Sequence, residues 1–400
     1  EHYVDGLSLL PSAVRTYEAD QSNAFFGYGL AGQQNIAGTE KADIAISAHK
    51  YDLYDQEGIV AVYFDGGPES TTPLGISDAD VILYGATNSE QAGHDLDFLP
   101  DMNDDGHAEL LVGAPRYDGP GSWSGAAYLV MGSDLADGGT INLDESTRLI
   151  GESGLDRAGS KVASAGDLNG DGISELIIAA PRNSSSANKA GSVYIVDGDR
   201  ALSAYTLMLE DADHKLLGEA VDDRVGTSID GNFDVDGDGV SDILVGAPLN
   251  DEYENSSGRT YLVLGSTVPS IVFASLADAN AIFESDELGA KLGNSVSGSS
   301  DIDNDGFADI VLGVPNSHLG GTDAGAAWVF HGSLVADGGI FTDTDTEVIF
   351  HGNGTNSQAG FSVLGLGDVN GDTFGDLAVG EPNDGTHATN AGLVHIVLTP

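Results

Sequence analysis

The sequence predicts an all-β fold, a six-bladed β-propeller with four strands to a blade. Three observations carry that expectation: two glycine series recurring every 66 or 67 residues, an acidic loop in register in five of the six periods, and a composition rich in glycine and short apolar runs. A chain of 400 residues would otherwise suggest two or three domains, so the repeat is what joins 1–400 into one.

In each period the first glycine, at Gly27, Gly93, Gly159, Gly226, Gly293 and Gly360, precedes a short apolar segment, the first strand. The acidic loop follows and runs into an apolar second strand such as ELLVGAP or DILVGAP. The second glycine, at Gly58, Gly125, Gly191, Gly258, Gly325 and Gly392, opens a third strand such as SGAAYLVMGS. A fourth is marked by Tyr84, Ile150, Leu217, Phe283 and Phe350. One period before Tyr84 stands Tyr17, in VRTYEADQS, whereas the chain stops after the third strand of its last repeat, AGLVHIVLTP. The N-terminal segment is therefore expected to supply the missing fourth strand and close the ring. The blades fall at 21–87, 88–153, 154–220, 221–286, 287–353, and 354–400 joined by 1–20. Closure leaves no unpaired sheet edge. A seven-bladed ring is the alternative. The absence of a 3.6-residue period excludes an α-solenoid, and the long repeat argues against an open β-solenoid.

The 56 glycines and 40% hydrophobic content suit strands and tight turns rather than disorder. The charge is extreme: 64 Asp and Glu against 14 Lys and Arg, a formal net of -50. Nucleic acid and anionic membranes are poor partners for such a surface. There is no cysteine, so stability must come from core packing or metal, and missing disulfides do not place the chain in the cytosol. No run of 18 apolar residues and no signal-peptide pattern occurs, and the chain reads as a soluble monomer without membrane insertion.

The acidic loops read DMNDDGHAE, DLNGDGISE, DVDGDGVSD, DIDNDGFAD and DVNGDTFGD. Oxygens at positions 1, 3 and 5, a main-chain carbonyl at 7 and a carboxylate at 9 can surround one hard cation, with glycine at 6 for the sharp turn. The expected calcium ligands are Asp101, Asn103, Asp105, the His107 carbonyl and Glu109; Asp167, Asn169, Asp171, the Ile173 carbonyl and Glu175; Asp234, Asp236, Asp238, the Val240 carbonyl and Asp242; Asp301, Asp303, Asp305, the Phe307 carbonyl and Asp309; and Asp368, Asn370, Asp372, the Phe374 carbonyl and Asp376. An EF-hand would need Glu at position 12 and flanking helices, but that position is Val112, Ile178, Val245, Leu312 or Val379 within a strand. Metal-free Asx turns would explain single Asp and Gly residues, not three or four mutually repelling carboxylates within nine residues. About five Ca²⁺ ions are thus expected. In the last loop Thr373 takes the glycine position, where a β-branched residue is strained.

These loops, with the elements Gly113-Ala114-Pro115, Ala179-Ala180-Pro181, Gly246-Ala247-Pro248, Gly313-Val314-Pro315 and Gly380-Glu381-Pro382 and the pair Phe26-Gly27, resemble the FG-GAP repeats of integrin alpha-subunit propellers over essentially the whole chain. The resemblance implies a propeller with cations on one face and partner recognition on the other, in secreted or cell-surface adhesion. Two departures stand out. Integrin heads have seven blades, and repeat one replaces the acidic loop with NIAGTEKAD, where Asn35, Ala37 and Thr39 offer no carboxylate. No inserted metal-dependent adhesion domain is present.

On the face opposite the calcium loops, the variable segments after each GAP element carry the candidates for protein or carbohydrate recognition: Tyr51, Tyr54, Tyr117, Trp123 and Tyr253, then His318 and His387. The competing reading is that they cap the blade ends. Trp328 occupies a third-strand core position. A propeller hydrolase or lyase acting on polysaccharide or phosphoester is the enzymatic alternative, and a structural spacer in a larger surface protein is the third. The ten histidines form no triad or catalytic zinc spacing, so the expectation is a binding module rather than an enzyme.

Overall fold

Apolar runs without alternation, such as ELLVGA, IVAVY and AAYLV, form strands that are buried along their whole length. A strand buried on both faces needs a sheet on either side. That is what happens in the computed structural model, which describes residues 15–399 except 20, 22–23, 33, 39–40, 52–56, 69, 71, 271–272 and 386–391. In repeat two, Leu110 and Val112 pack with Val60, Val62 and Leu83 of repeat one, whereas Leu111 between them packs with Leu176, Ile178 and Tyr194 of repeat three. The two faces of one strand thus belong to two inter-blade cores. The pattern continues around the series: Leu244 and Leu262 meet Ile310, Leu312 and Trp328, and Val311 meets Leu377 and Val379.

Each repeat is an antiparallel sheet in chain order. In repeat two Asp95–Leu99, Glu109–Ala114, Ala126–Val130 and Thr147–Ile150 lie side by side, with Leu96 opposite Val112, Leu111 opposite Leu129 and Leu149 opposite Ala127. First strands pack on one another in sequence, from Phe26–Ala31 through Asp95–Leu99, Lys161–Gly166, Ser228–Phe233 and Val296–Ser300 to Ser362–Gly367. This is the architecture of a β-propeller. The glycine clock has a steric basis: Gly159 has φ 78°, and a Cβ there would lie 2.0 Å from the Ala126 carbonyl oxygen of the third strand.

Two features differ from expectation. Sheets reach five strands because the link between third and fourth strands adds a parallel strand to the preceding blade: Gly139–Asn142 beside Val81–Tyr84, Thr206–Met208 beside Thr147–Ile150, Phe273–Ser275 beside His214–Leu217, and Gly339–Phe341 beside Ala281–Glu284. Tyr17–Glu18 obeys the same rule, lying parallel to Leu74–Gly75 with Tyr17 opposite Leu74. It therefore holds the fourth-strand position that the period assigns, as seen from repeat one. The expected closure on the last sheet is not observed. That sheet has three strands, ending at Leu393–Val397, with no outer partner among the described residues, and Val14 lies outside them. Side chains at the two ends of the series are correspondingly exposed, Tyr28 and Leu30 in repeat one and Leu364, Val394 and Ile396 in repeat six. No helix among the described residues is long and apolar enough to cross a membrane.

Candidate metal centres

Each acidic loop joins the first strand to the second, and the second strand begins at position 9. That carboxylate is buried in every repeat, and its local role is to hold the hairpin. One oxygen accepts the N–H of position 2: Met102 to Glu109 at 2.8 Å, Leu168 to Glu175 at 2.6 Å, Val235 to Asp242 at 2.7 Å, Ile302 to Asp309 at 2.7 Å and Val369 to Asp376 at 2.9 Å. In four loops the other oxygen accepts an N–H just past the third strand, from Gly132, Gly265, Gly332 or Thr399; in Glu175 it accepts from Asn169 Nδ2. Sequence position 9 is thus fixed to the sheet, and the preceding eight residues must curl back over it.

The curl is held by the side chains at positions 1 and 5. Position 1 accepts the N–H of position 6, Gly106 to Asp101 at 2.7 Å and Gly239 to Asp234 at 2.9 Å. Position 5 accepts the N–H of position 7, His107 to Asp105 at 3.0 Å, Ile173 to Asp171, Val240 to Asp238, Phe307 to Asp305 and Phe374 to Asp372. Position 6 has positive φ throughout: 90° at Gly106 and Gly172, 86° at Gly239, 95° at Gly306, and 81° at Thr373, where the strain expected of a β-branched residue is in place.

Four loops bring carboxylate oxygens within 4.8 Å of one another: Asp101, Asp105 and Glu109; Asp171, Glu175 and Asp197; Asp234, Asp236 and Asp242; Asp301, Asp303 and Asp309. The loop at Asp368 does not join them; there the Asn370 amide donates to Asp372 at 2.9 Å. Burial pushes Glu109, Glu175 and Asp242 up to about 7 and Asp309 up to about 6, against the pull of their backbone hydrogen bonds, with neighbouring carboxylates adding to the rise. Hard oxygen donors, partly buried and mutually repelling, are the donor set that Ca²⁺ satisfies. Asp197 was not foreseen. It lies just after the third strand, where the other repeats have Met131, Leu264 and His331, and that substitution was the readable signal. His331 Nδ1 in turn sits 3.0 Å from Asp303.

Five segments, 92–130, 158–196, 225–263, 292–330 and 359–397, match the FG-GAP repeat profile, each spanning first strand, acidic loop, second and third strands. The chain belongs to the FG-GAP repeat family. It is 30% identical to integrin alpha pat-2 of Caenorhabditis elegans over 46% of this chain and 15% of that protein. It is 28% identical to integrin alpha-7 of Rattus norvegicus over 56% of this chain and 18% of that one. It is also 28% identical to a phosphatidylinositol-glycan-specific phospholipase D of Dictyostelium discoideum, over 66% and 28%. The matched regions span less than a third of these relatives.

The FG-GAP second strands run from the acidic loop to the GAP element, so segments after GAP emerge at the opposite ends of the sheets. There the aromatic candidates separate. Tyr51 and Tyr117 are each only 9% exposed and are core caps, not surface anchors. Tyr117 stands edge-on to Tyr128, and its hydroxyl accepts from Arg148 at 3.1 Å. Trp123 and Tyr253 are exposed, as is His318, whose ring is paired with Glu287. Tyr54 and His387 lie outside the described residues. Trp328 is buried, as its strand position requires.

Proposed function

We propose that this FG-GAP chain is a calcium-stabilised extracellular binding or adhesion module, with cations in the turns between first and second strands and partner recognition at the other ends of the blades. The observation that carries the reading is the convergence of four buried-anchor carboxylate groups on equivalent turns. The integrin alpha relatives support a protein partner and a secreted or cell-surface setting; a carbohydrate partner fits the same face. Five ions are proposed, one for each acidic loop, with none in repeat one. The six repeats are proposed as blades of one ring, with the Tyr17 strand as fourth strand of the last blade and its pairing to Leu74 following the link-strand rule of the other blades.

Elemental analysis of the full chain desalted into metal-free buffer should find about five Ca²⁺ per chain. Two or fewer would overturn the assignment. Replacing Trp123 and Tyr253 by Ala should abolish binding to a partner found on protein or glycan arrays while leaving calcium content unchanged, a true anchor being worth about 2 kcal/mol or more. The phospholipase D relative makes phosphoester hydrolysis the assay to run alongside. Turnover there would replace this reading with an enzymatic one.

A further inference from the structure

Against 64 acidic residues the chain has 14 basic ones, and they are not scattered. Arg116 and Arg182 follow the prolines of their GAP elements, and Arg157 and Arg224 stand two residues before the glycines that open the first strands. Both positions lie at the ends of the sheets remote from the acidic loops. Arg157 and Arg224 have φ 59° and 57°, and their N–H groups donate to the Trp123 and Lys189 carbonyls at 3.1 and 3.3 Å, so the backbone presents each side chain from a fixed turn. The Trp123 ring centre lies 5.0 Å from Arg116 Cζ and 5.4 Å from Arg157 Cζ, which ties two guanidinium groups of adjacent repeats to one indole.

None of these four arginines has a carboxylate partner among the described residues, although Arg148 pairs with Asp144, Arg200 with Asp213 and Arg259 with Glu219 and Glu284. Among the described residues the buried Nε atoms of Arg157 and Arg224, like those of Arg148 and Arg259, have no hydrogen-bond partner. Of the nearby acids, Asp118 accepts from the Trp123 backbone N–H at 2.8 Å, Asp156 from Asn183 and Ser153, and Asp223 from the Ala220 N–H through Oδ2, its buried Oδ1 having no partner among the described residues. Burial, then the charges of Arg182, Arg116 and Arg224, push the Arg157 pKa down. Clustered, partly desolvated cations without counter-charge are costly, and an anion relieves that cost.

We propose that Arg116 and Arg157, held at the Trp123 ring, together with Arg182, whose N–H donates to the Asp156 carbonyl beside Arg157, form a binding site for a single oxyanion, a carboxylate, sulfate or phosphate borne by a compact or weakly charged ligand. A polyanion is disfavoured because the chain's net charge of -50 repels it beyond the reach of the patch, whereas one localised oxyanion sees the guanidinium groups first. Planar guanidinium groups match all three oxyanions through paired N–H donors. The site deepens the recognition face proposed above and rests on that reading only for its biological partner.

The test uses the full chain in calcium buffer at constant ionic strength, titrated with sodium phosphate, sodium sulfate and a capped Gly-Asp-Gly peptide, with sodium chloride as control. Trp328 is buried, so a change in tryptophan emission reports Trp123. A saturable change with at least one probe is expected, weakened at least tenfold in Arg157→Gln/Arg182→Gln at unchanged melting temperature. Calorimetry on the unaltered chain should return the same affinity as the emission titration, and loss of the emission signal in Trp123→Phe would confirm its source. Responses to all three probes no different from chloride, or equal affinity in the double glutamine variant, would overturn the site. Tighter capture by a sulfated polysaccharide than by inorganic sulfate would overturn the compact-ligand argument. A protein partner insensitive to Arg157→Gln/Arg182→Gln would leave the recognition face standing and remove this site from it.

Discussion

Repeat one and repeat four build the same hairpin from different loops. In repeat four, Asp242 accepts the N–H of Val235 and of Gly265. In repeat one, Asp43 accepts the N–H of Ile36 at 2.6 Å, Ala37 at 3.0 Å and Asp65 at 2.7 Å, the same two anchor positions plus one more. Yet repeat one has Asn35 and Ala37 where repeat four has Asp234 and Asp236, and Thr39 lies outside the described residues. The position-9 carboxylate therefore belongs to the fold whether or not its loop could hold a cation. Positions 1, 3 and 5 carry the difference in chemistry.

Chelation tests the comparison most strongly. Each occupied site adds about 3 kcal/mol at a hundredfold excess of free ion over its dissociation constant, so EDTA should lower the melting temperature by many degrees, well beyond any effect of matched NaCl. Coincident curves with EDTA and with calcium would reduce the acidic loops to the status of repeat one. Next in size, Asp43→Ala and Asp242→Ala should each cost about 2–3 kcal/mol in denaturant melts by stranding buried N–H groups. Only Asp242→Ala should also lose calcium. A harmless Asp43→Ala would break the idea of a shared anchor.

The pH dependence isolates a carboxylate away from both loops. Asp97, on the first strand of repeat two, accepts the Ser164 N–H at 2.8 Å, and burial, with Asp230 nearby, pushes its pKa up to about 7. A raised folded pKa means that its stabilising contribution is complete below the ordinary carboxylate range and is lost as pH rises toward about 7. Asp97→Asn keeps an acceptor and removes the titration. Relative to the unaltered chain it should gain on the order of 2 kcal/mol at pH 8 and little at pH 4. A constant difference across that range would sink the assignment. The smallest effect concerns Thr373. Thr373→Gly relieves a left-handed turn and should stabilise by about 1 kcal/mol, with the last loop, otherwise the first to empty on chelation, retaining its ion longer.

Much of this was legible in the sequence because the repeat is enforced by sterics: glycine where a Cβ would strike the next strand, and apolar runs wherever both faces are covered. The convergence of carboxylates in four of the loops was legible for the same reason, since alternate residues of a tight turn face one point. What the period could not reveal depends on neighbours in space. Tyr117 reads as an exposed loop aromatic until Tyr128 and Arg148 are seen to enclose it, and Trp123, six residues on, stays outside. The link strand Gly139–Asn142 has no strong pattern because its partner belongs to the preceding blade, and the same dependence on a neighbour hid the pairing of Tyr17 with Leu74.

Those link strands also bear on how the molecule answers to force. Adjacent blades share rows of main-chain hydrogen bonds as well as apolar contacts, and the rows run parallel to the strands they join. Tension along the strands loads each row in shear, so its bonds resist together, whereas tension across them opens the row one bond at a time. A chain of such blades held between two attachments would then yield at its ends, where the last sheet has no such clasp among the described residues, before any interior blade slipped from its neighbour.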